Sequence, residues 1–356
     1  MILITGGAGF IGSNFVHTWQ KQNSESIVNI DSLTYAGNLY NLEGLLNNNL
    51  HHFICEDINN FEQIQDIISE TKPRAIIHFA AESHVDRSIN NPQEFINTNV
   101  IGTFNLLEAS RIYYASLNEE AQKEFKFIHI STDEVYGSLD KHEPAFTEST
   151  PYAPNSPYSA SKASSDHLVR SYYHTYGLPC IITHCSNNYG AYQFPEKLIP
   201  LIISNALSGK ELPIYGDGLN IRDWLHVEDH CEAIITILNK GKIGEVYNIG
   251  GCNEKTNIEV VNTICHILDK LKPKQNNQSY KTQIKFVKDR LGHDRRYAID
   301  NSKIKNELNW QPKYTFDIGI KQTVEWYLNN TLWIERVNSL EYQDFNINKL
   351  EKIGNE

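Results

Sequence analysis

Short apolar runs alternate with stretches of helical periodicity through the first half of the chain. The clearest runs are Ile2–Thr5, Ser26–Ile30, Ala75–Phe79, Phe125–Ile130 and Cys180–His184, each rich in Ile, Val or Phe and closed by a Gly, Asp, Ala or Ser turn. That alternation predicts βαβ units and a doubly wound parallel sheet. Thr98–Ser110 places Val100, Ile101, Phe104 and Leu107 at helical spacing and predicts a crossover helix. Beyond about residue 188, Pro195, Pro200, Pro213, Gly216 and Gly218 break the pattern into shorter pieces, as expected of a smaller mixed α/β domain. Trp224–Leu238, read as a helix, and Gly244–Ile249, read as a strand, are expected to rejoin the first layer system. The expected partition is 1–187 with 224–250 interleaved, then 188–345, then a tail over 346–356. Lys270–Thr282 is polar and aperiodic and reads as an exposed loop.

Gly6-Gly7-Ala8-Gly9-Phe10-Ile11-Gly12 follows the first strand directly and opens a helix. Read as G-x-x-G-x-x-G, Gly6 permits the tight turn. Gly9 lets backbone N–H groups approach a pyrophosphate, and Gly12 allows close helix–strand packing. The helix N-terminus adds partial positive charge for a diphosphate. The fold class is therefore Rossmann-type, with a dinucleotide as cofactor. Asp31 ends the second strand, where a carboxylate accepts from a ribose 2′-hydroxyl and repels a 2′-phosphate. No Arg follows within Ser32–Asn41, so NAD is expected rather than NADP. Asp57, after the His52–Cys55 run, is placed either toward the adenine or as a turn residue.

Tyr158-Ser159-Ala160-Ser161-Lys162 sets Tyr and Lys on one helix face at i and i+4. An ammonium beside a phenol lowers its pKa and makes it a usable base. Thr132 lies at the carboxyl end of a strand, where parallel sheets bind ligands, and its hydroxyl is suited to hold the substrate oxygen that loses a proton. Asp133 and Glu134 follow it directly. A plain dehydrogenase needs one base for one hydroxyl, so two further carboxyls suggest a second step such as elimination of water, their pKa values set apart by environment.

Composition narrows the partner. The net charge of −11 on 356 residues argues against nucleic acid, and an anionic small substrate would need cations gathered locally. Asp289-Arg290-Leu291-Gly292-His293-Asp294-Arg295-Arg296 is one such gathering. No stretch reaches the roughly 18 apolar residues of a membrane helix. The six cysteines show no C-x-x-C pair and read as free thiols of a cytoplasmic protein, and no metal site is expected.

The motifs together resemble the extended short-chain dehydrogenases/reductases, and within them most closely the dTDP-glucose 4,6-dehydratases. The likeness rests on Thr5–Ser13, Leu33–Asn38, Ala80–Ser88, Ser131–Gly137, Ser186–Gly190, Phe194–Leu198, Arg222–Trp224 and Gly292–Tyr297, and runs from about residue 1 to residue 345. It implies that Asp133 protonates the departing 6-hydroxyl, Glu134 is the base at C5 and Tyr158 the base at the 4-hydroxyl. Lys162 would support Tyr158 and hold the nicotinamide ribose. NAD would be lined by Phe10, Ile11, Asp31, Ser32, Leu33, Thr34, Asp57, Ile58, Ala80, Ala81, Glu82, Ser83, Thr98 and Asn188. The nucleotide sugar would meet His84, Thr132, Asn187, Lys197, Leu198, Pro213, Ile214, Tyr215, Arg222, Asn257, Asp289, Arg290, Leu291, Gly292 and His293. The family pattern has Pro where this chain has Leu291. The implied product is dTDP-4-keto-6-deoxyglucose, a precursor of deoxysugars such as rhamnose, and a homodimer is the family expectation. Two neighbouring readings remain: a nucleotide-sugar 4-epimerase, which has no use for Asp133 and Glu134, and a 4,6-dehydratase of another nucleotide sugar such as UDP-glucose. A non-catalytic NAD sensor would have no reason to keep both Tyr158 and Lys162.

Overall fold

The computed structural model describes residues 1–353. Six strands of the first half are β1 (Ile2–Thr5), β2 (Ile27–Asp31), β3 (His51–Cys55), β4 (Ala75–His78), β5 (Lys126–Thr132) and β6 (Cys180–Cys185). The second half adds β7 (Asn187–Tyr189), β8 (Leu212–Tyr215), β9 (Ile221–His226), β10 (Val246–Ile249), β11 (Glu254–Thr256) and β12 (Ile284–Val287). Seven of these form one sheet in the order β10-β6-β5-β4-β1-β2-β3, every pair parallel. Parallel strands covered on both faces must be apolar throughout, and every residue of β1, β2, β4 and β6 is buried. The strand order reverses between β1 and β4, so their carboxyl ends diverge and open a crevice.

Helices cover both faces. On one side Phe15, Val16 and Trp19 of the Phe10–Gln22 helix pack with Ile234, Ile237 and Leu238 of the Val227–Lys240 helix. On the other, Ile64 and Ile68, Leu106 and Leu107, and Val169 and Tyr172 bring three further helices against the sheet. A second core holds Tyr189, Ile202, Ile203, Val260, Ile264, Leu268, Ile320, Val324 and Tyr327. It sits with a three-stranded sheet, β11-β9-β7, and a two-stranded one, β12-β8.

Four expectations change. Trp224 belongs to strand β9, and the helix starts only at Val227, because residues 221–226 are claimed by antiparallel pairing with β11 and parallel pairing with β7. Thr98–Ser110 is helical, but a π-helical stretch, Ile96–Gly102, precedes the α-helix Thr103–Ser116. Its wider turn shifts the phase. The buried face is Gly102, Thr103, Leu106, Leu107, Ser110 and Tyr113, while Ile101 and Phe104 are exposed. Within Lys270–Thr282 the Tyr280 ring is buried, its hydroxyl donating to the Lys272 carbonyl at 2.8 Å. Residues 346–353, read as tail, continue the helix Glu341–Ile353, with Asn346 buried; residues 354–356 lie outside the described residues.

The β1 turn sets the geometry of the crevice. Gly6 has φ +76°, a conformation that favours glycine. A Cβ on Gly12 would stand 2.2 Å from the Gly6 carbonyl oxygen, so helix and strand meet with no room for a methyl. On Gly9 it would meet only that oxygen, at 3.4 Å. Gly12→Ala should therefore lower stability by about 1–3 kcal/mol through overpacking. Gly9→Ala should unfold close to the parent in urea, although its methyl stands in the crevice. Equal unfolding midpoints for both variants would contradict the packing role of Gly12.

Candidate active site

The crevice at the carboxyl ends of β1, β4, β5 and β6 is one continuous cleft. Its walls include Gly6, Gly9, Phe10, Ile11, Gly12, Asp31, Ser32, Thr34, Asp57, Ile58, Ala80, Ala81, Glu82, Ser83 and Thr98. Thr132, Asp133, Glu134, Tyr158, Lys162, Asn187, Asn188 and Lys197 complete the expected set found there. Leu33 is not on the wall. It adopts φ +51°, and its N–H donates to Asp31 Oδ1 at 2.8 Å, so it shapes the loop beside the cleft.

The glycine turn fits a dinucleotide diphosphate. The first-turn N–H groups of the Phe10–Gln22 helix have no side-chain cap, and no acid stands in that turn to compete for them. Asp31 is buried. Its Oδ2 accepts from the Ala8 N–H at 2.9 Å, which ties the end of β2 to the glycine turn. Burial pushes its carboxyl upward in pKa, against the two backbone bonds. Asp57 Oδ1 accepts from the Asn59 N–H at 2.8 Å, so the turn reading holds for it while it also lines the cleft.

Thr132 ends β5, and Asp133 and Glu134 begin a 3₁₀ turn, Asp133–Tyr136, in which the Thr132 hydroxyl accepts from the Glu134 N–H at 3.3 Å. Asp133 is almost fully buried and its Oδ2 has no partner in the protein. Burial, then the Glu134 and Asp223 carboxylates, push its pKa well above the ordinary value. Burial raises Glu134 as well, but Lys197, Arg222 and Arg290 pull it back. The two acids thus sit in unlike fields, one toward the proton donor and one toward the base.

The Pro157–Tyr176 helix starts with Pro157 and a capping box between Ser156 and Ser159, which pins its first turn below the cleft. Tyr158 and Lys162 follow one turn apart, both buried. Lys162 Nζ donates to the Ile130 carbonyl at 2.9 Å. Burial and then the Glu134 charge drive Tyr158 well above the usual phenol range, and the Thr132 hydroxyl bonded to it only partly offsets them. The ammonium does not by itself make Tyr158 a ready base.

Of the expected sugar-nucleotide residues, Lys197, Arg222 and Arg290 bear on Glu134, while Thr132, Asn187 and Lys197 line the cleft itself. Lys197 donates to the Ser83 carbonyl at 3.0 Å. Arg222 donates to the Asp294 carbonyl at 2.9 Å, with its guanidinium 4.3 Å from the Tyr297 ring centre. Arg290 pairs with Asp86 at 2.6 Å and lies 5.3 Å from the Tyr215 ring centre. His293 pairs with Asp289 at 2.6 Å, Gly292 takes φ +63°, and Leu291 is 74% exposed. His84 faces Glu196 at 3.9 Å and is held neutral near pKa 4 by burial and Lys197. Leu198 and Asn257 are first residues of helices. Ile214 is corrected: its side chain lies in the second core because alternate residues of β8 face inward, so only its backbone and the flanking Pro213 and Tyr215 remain for a ligand.

Several wall residues escaped the sequence reading. Tyr35 donates to Glu196 at 3.0 Å, and Arg87 lies 3.5 Å over the Tyr35 ring centre while reaching Glu196 at 3.2 Å. Asn99, fully buried, holds the Glu82 backbone at both its N–H and its carbonyl and donates to Ser161 Oγ at 2.8 Å. Tyr297, last residue of the Gly292–Tyr297 stretch, was given no role and packs its buried ring under the Arg222 guanidinium.

Residues 3–323 match the family model described as GDP-mannose 4,6 dehydratase. A Shigella flexneri dTDP-glucose 4,6-dehydratase is 57% identical over 352 residues, covering 97% of each chain. The Bacillus anthracis dTDP-glucose 4,6-dehydratase, solved in complex with NAD, superposes with TM-score 0.83 at 52% identity, over 94% of this chain and 99% of that one. A Streptomyces venezuelae dTDP-glucose 4,6-dehydratase, solved with NAD and TYD bound, gives 0.84 at 44% identity, over 94% and 99%. With glycine turn, Tyr–Lys pair and paired acids in one cleft, the chain belongs to the 4,6-dehydratase family of extended short-chain dehydrogenases/reductases.

Proposed function

We propose that this chain is an NAD-dependent hydro-lyase that converts dTDP-glucose to dTDP-4-keto-6-deoxyglucose and water, with residues 1–187 and 224–250 carrying NAD and residues 188–345 the sugar nucleotide. The observation that supports it best is the position of buried Asp133 and half-buried Glu134 in the same cleft as Tyr158 and Lys162. A 4-epimerase would have no work for either acid.

Bound NAD would supply the hydride acceptor for C4 and the donor for C6. Tyr158 takes the 4-hydroxyl proton, its phenolate favoured by Lys162 behind it and Thr132 beside it. The resulting ketone acidifies C5–H, and Glu134 removes that proton. Asp133, kept protonated by burial, gives its proton to the 6-hydroxyl, which leaves as water. Glu134, its proton exchanged with solvent, then protonates C5. At the end Tyr158 has gained one proton and Asp133 has lost one, so one must pass between them before the next turnover. The Thr132 hydroxyl stands between the two, 3.4 Å from Asp133 Oδ1 and hydrogen-bonded to Tyr158. Lys197, Arg222 and Arg290 are the cations available to a nucleoside diphosphate in an otherwise acidic chain.

A homodimer is supported by the outer face of the 96–116 helix, where Ile96, Ile101, Phe104 and Ile112 are exposed together. Unpaired thiols, two of them exposed, suit a reducing cytoplasm, and no described helix is long and apolar enough to cross a membrane.

Glu134→Gln should still form NADH on the enzyme with dTDP-glucose, read at its absorbance band, but lose dehydration by about 100-fold or more. Tyr158→Phe should show no NADH at all. A Glu134→Gln enzyme that dehydrates at the parent rate would assign the C5 base elsewhere. Deuterium placed at C4 of the substrate should reappear at C6, and reaction in heavy water should put one deuterium at C5. Label kept at C4 with no C5 exchange would make the reaction an epimerisation. Phe104→Arg should halve the mass seen by light scattering while the fold melts cooperatively; an unchanged mass would move the interface off this face.

A further inference from the structure

Behind Lys162 lies a polar cluster that the reaction as written does not use. Tyr158, Lys162 and Asp166 recur at four-residue spacing and share one face of the Pro157–Tyr176 helix. Asp166 is 1% exposed. His129 Nε2 stands 3.4 Å from Asp166 Oδ1 and 3.5 Å from Lys162 Nζ, so the imidazole lies between ammonium and carboxylate. Asp166 Oδ2 receives Ser131 Oγ at 3.0 Å and faces His184 Nε2 at 3.0 Å. A buried ammonium without a counter-charge is costly. The groups facing Lys162 from the packed elements are Asp166 and Tyr158 on its own helix, His78 on β4, His129 on β5 and Cys185 on β6. His78 is occupied by the Thr5 and Thr103 hydroxyls at 2.8 and 2.9 Å. Burial keeps Cys185 a thiol and holds His129 neutral near pKa 4. Asp166 is the one carboxylate among them.

We propose that Asp166 is the counter-ion of the Lys162 ammonium, acting across the His129 imidazole, and is thereby a positioning residue for the Tyr158–Lys162 pair. Burial opposes ionisation of Asp166, yet the bonds from His129 and His184 hold its carboxyl well below the usual range, so it is charged at any working pH. Burial lowers Lys162 to about 8, and Asp166 is the main influence raising it. Without Asp166 the ammonium would lose its proton at lower pH, and Tyr158 would lose the charge that favours its phenolate. The proposal rests on the dehydratase reading for its kinetic test alone.

The test is kcat/KM for dTDP-glucose against pH, with the parent, Asp166→Asn and Asp166→Glu. The rate needs the Lys162 proton, so activity is present below the lysine pKa and falls as pH rises through it. Asp166→Asn should move that alkaline fall to lower pH by about one unit or more, while Asp166→Glu should keep it in place. An Asn variant whose fall coincides with the parent's, its rate reduced equally at every pH, would reduce Asp166 to a packing residue and overturn the proposal. A melting cycle over the parent, Asp166→Asn, Lys162→Met and the double variant needs no activity. Paired charges require the second substitution to cost less once the first is made, and Lys162→Met to restore folding should Asp166→Asn alone prevent it. Additive losses, or a double variant that still does not fold, would overturn it as well. Failure of the dehydratase reading would leave the melting cycle standing.

Discussion

Desolvation at the carboxyl ends of β5 and β6 is the constraint on which the site depends. Asp133, Glu134, Tyr158 and Lys162 line one cleft, and burial is the largest influence on each. Each is pushed toward its neutral form. In the role proposed for Asp133 that is useful, since a neutral acid is what a leaving hydroxyl requires. In those proposed for Glu134 and Tyr158 it is an obstacle, since a base must ionise to act. The remainder of the structure can be understood by how it opposes desolvation at those two positions and leaves it unopposed at the first.

The opposition to Glu134's desolvation comes from the second half of the chain. Lys197 precedes a helix, Arg222 sits in β9 and Arg290 in the loop after β12, and all three bear on Glu134. Their effect requires the two halves to be held in register across the cleft. Lys197 to the Ser83 carbonyl, Arg290 to Asp86, and Glu196 to Tyr35 and Arg87 all cross it. Exposed ion pairs of this kind contribute about 1 kcal/mol or less each, so the register needs apolar support. The C-terminal helices supply it. Tyr342 and Trp333 are buried, Trp333 Nε1 donates to Asn41 Oδ1 at 2.9 Å, and Asn346 bonds both the Leu39 N–H and the Gly37 carbonyl. The loop that follows Asp31 is therefore fixed by residues more than three hundred positions away in sequence.

How much was legible in the sequence follows from where each signal is carried. The parallel strands were found within about two residues because burial on both faces leaves a continuous apolar run. The glycine turn, Asp31, Thr132–Glu134 and the Tyr–Lys pair were legible because their constraints are local: a turn, a strand end, one helical repeat. Trp224 was misread because an apolar stretch of that length fits helix or strand, and only pairing with β7 and β11 decides. The phase of residues 98–110 was lost to a π-helical turn that periodicity does not announce. Ile214 came in with the family pattern, which does not distinguish a backbone contact from a side-chain one. Glu196 and Tyr297 lay inside stretches that carried the resemblance but were given no role, because Glu196's partners Tyr35 and Arg87 lie over a hundred positions away and Tyr297 meets Arg222 only in the fold, while Asp166, four residues past Lys162, carried a periodic hint.

The Tyr–Lys pair is usually described as self-sufficient, an ammonium making a phenol acidic. Here Lys162 gives its shortest bond to the Ile130 carbonyl, and Tyr158 remains high because of burial first and the Glu134 charge second. In the roles proposed, Tyr158 and Glu134 would both have to stand as anions in one cleft before the first transfer. Lys197, Arg222 and Arg290 favour the Glu134 carboxylate, so that it is ready when C5–H becomes acidic. The transfer from the 4-hydroxyl would neutralise Tyr158 and so relieve the repulsion between the two before Glu134 acts.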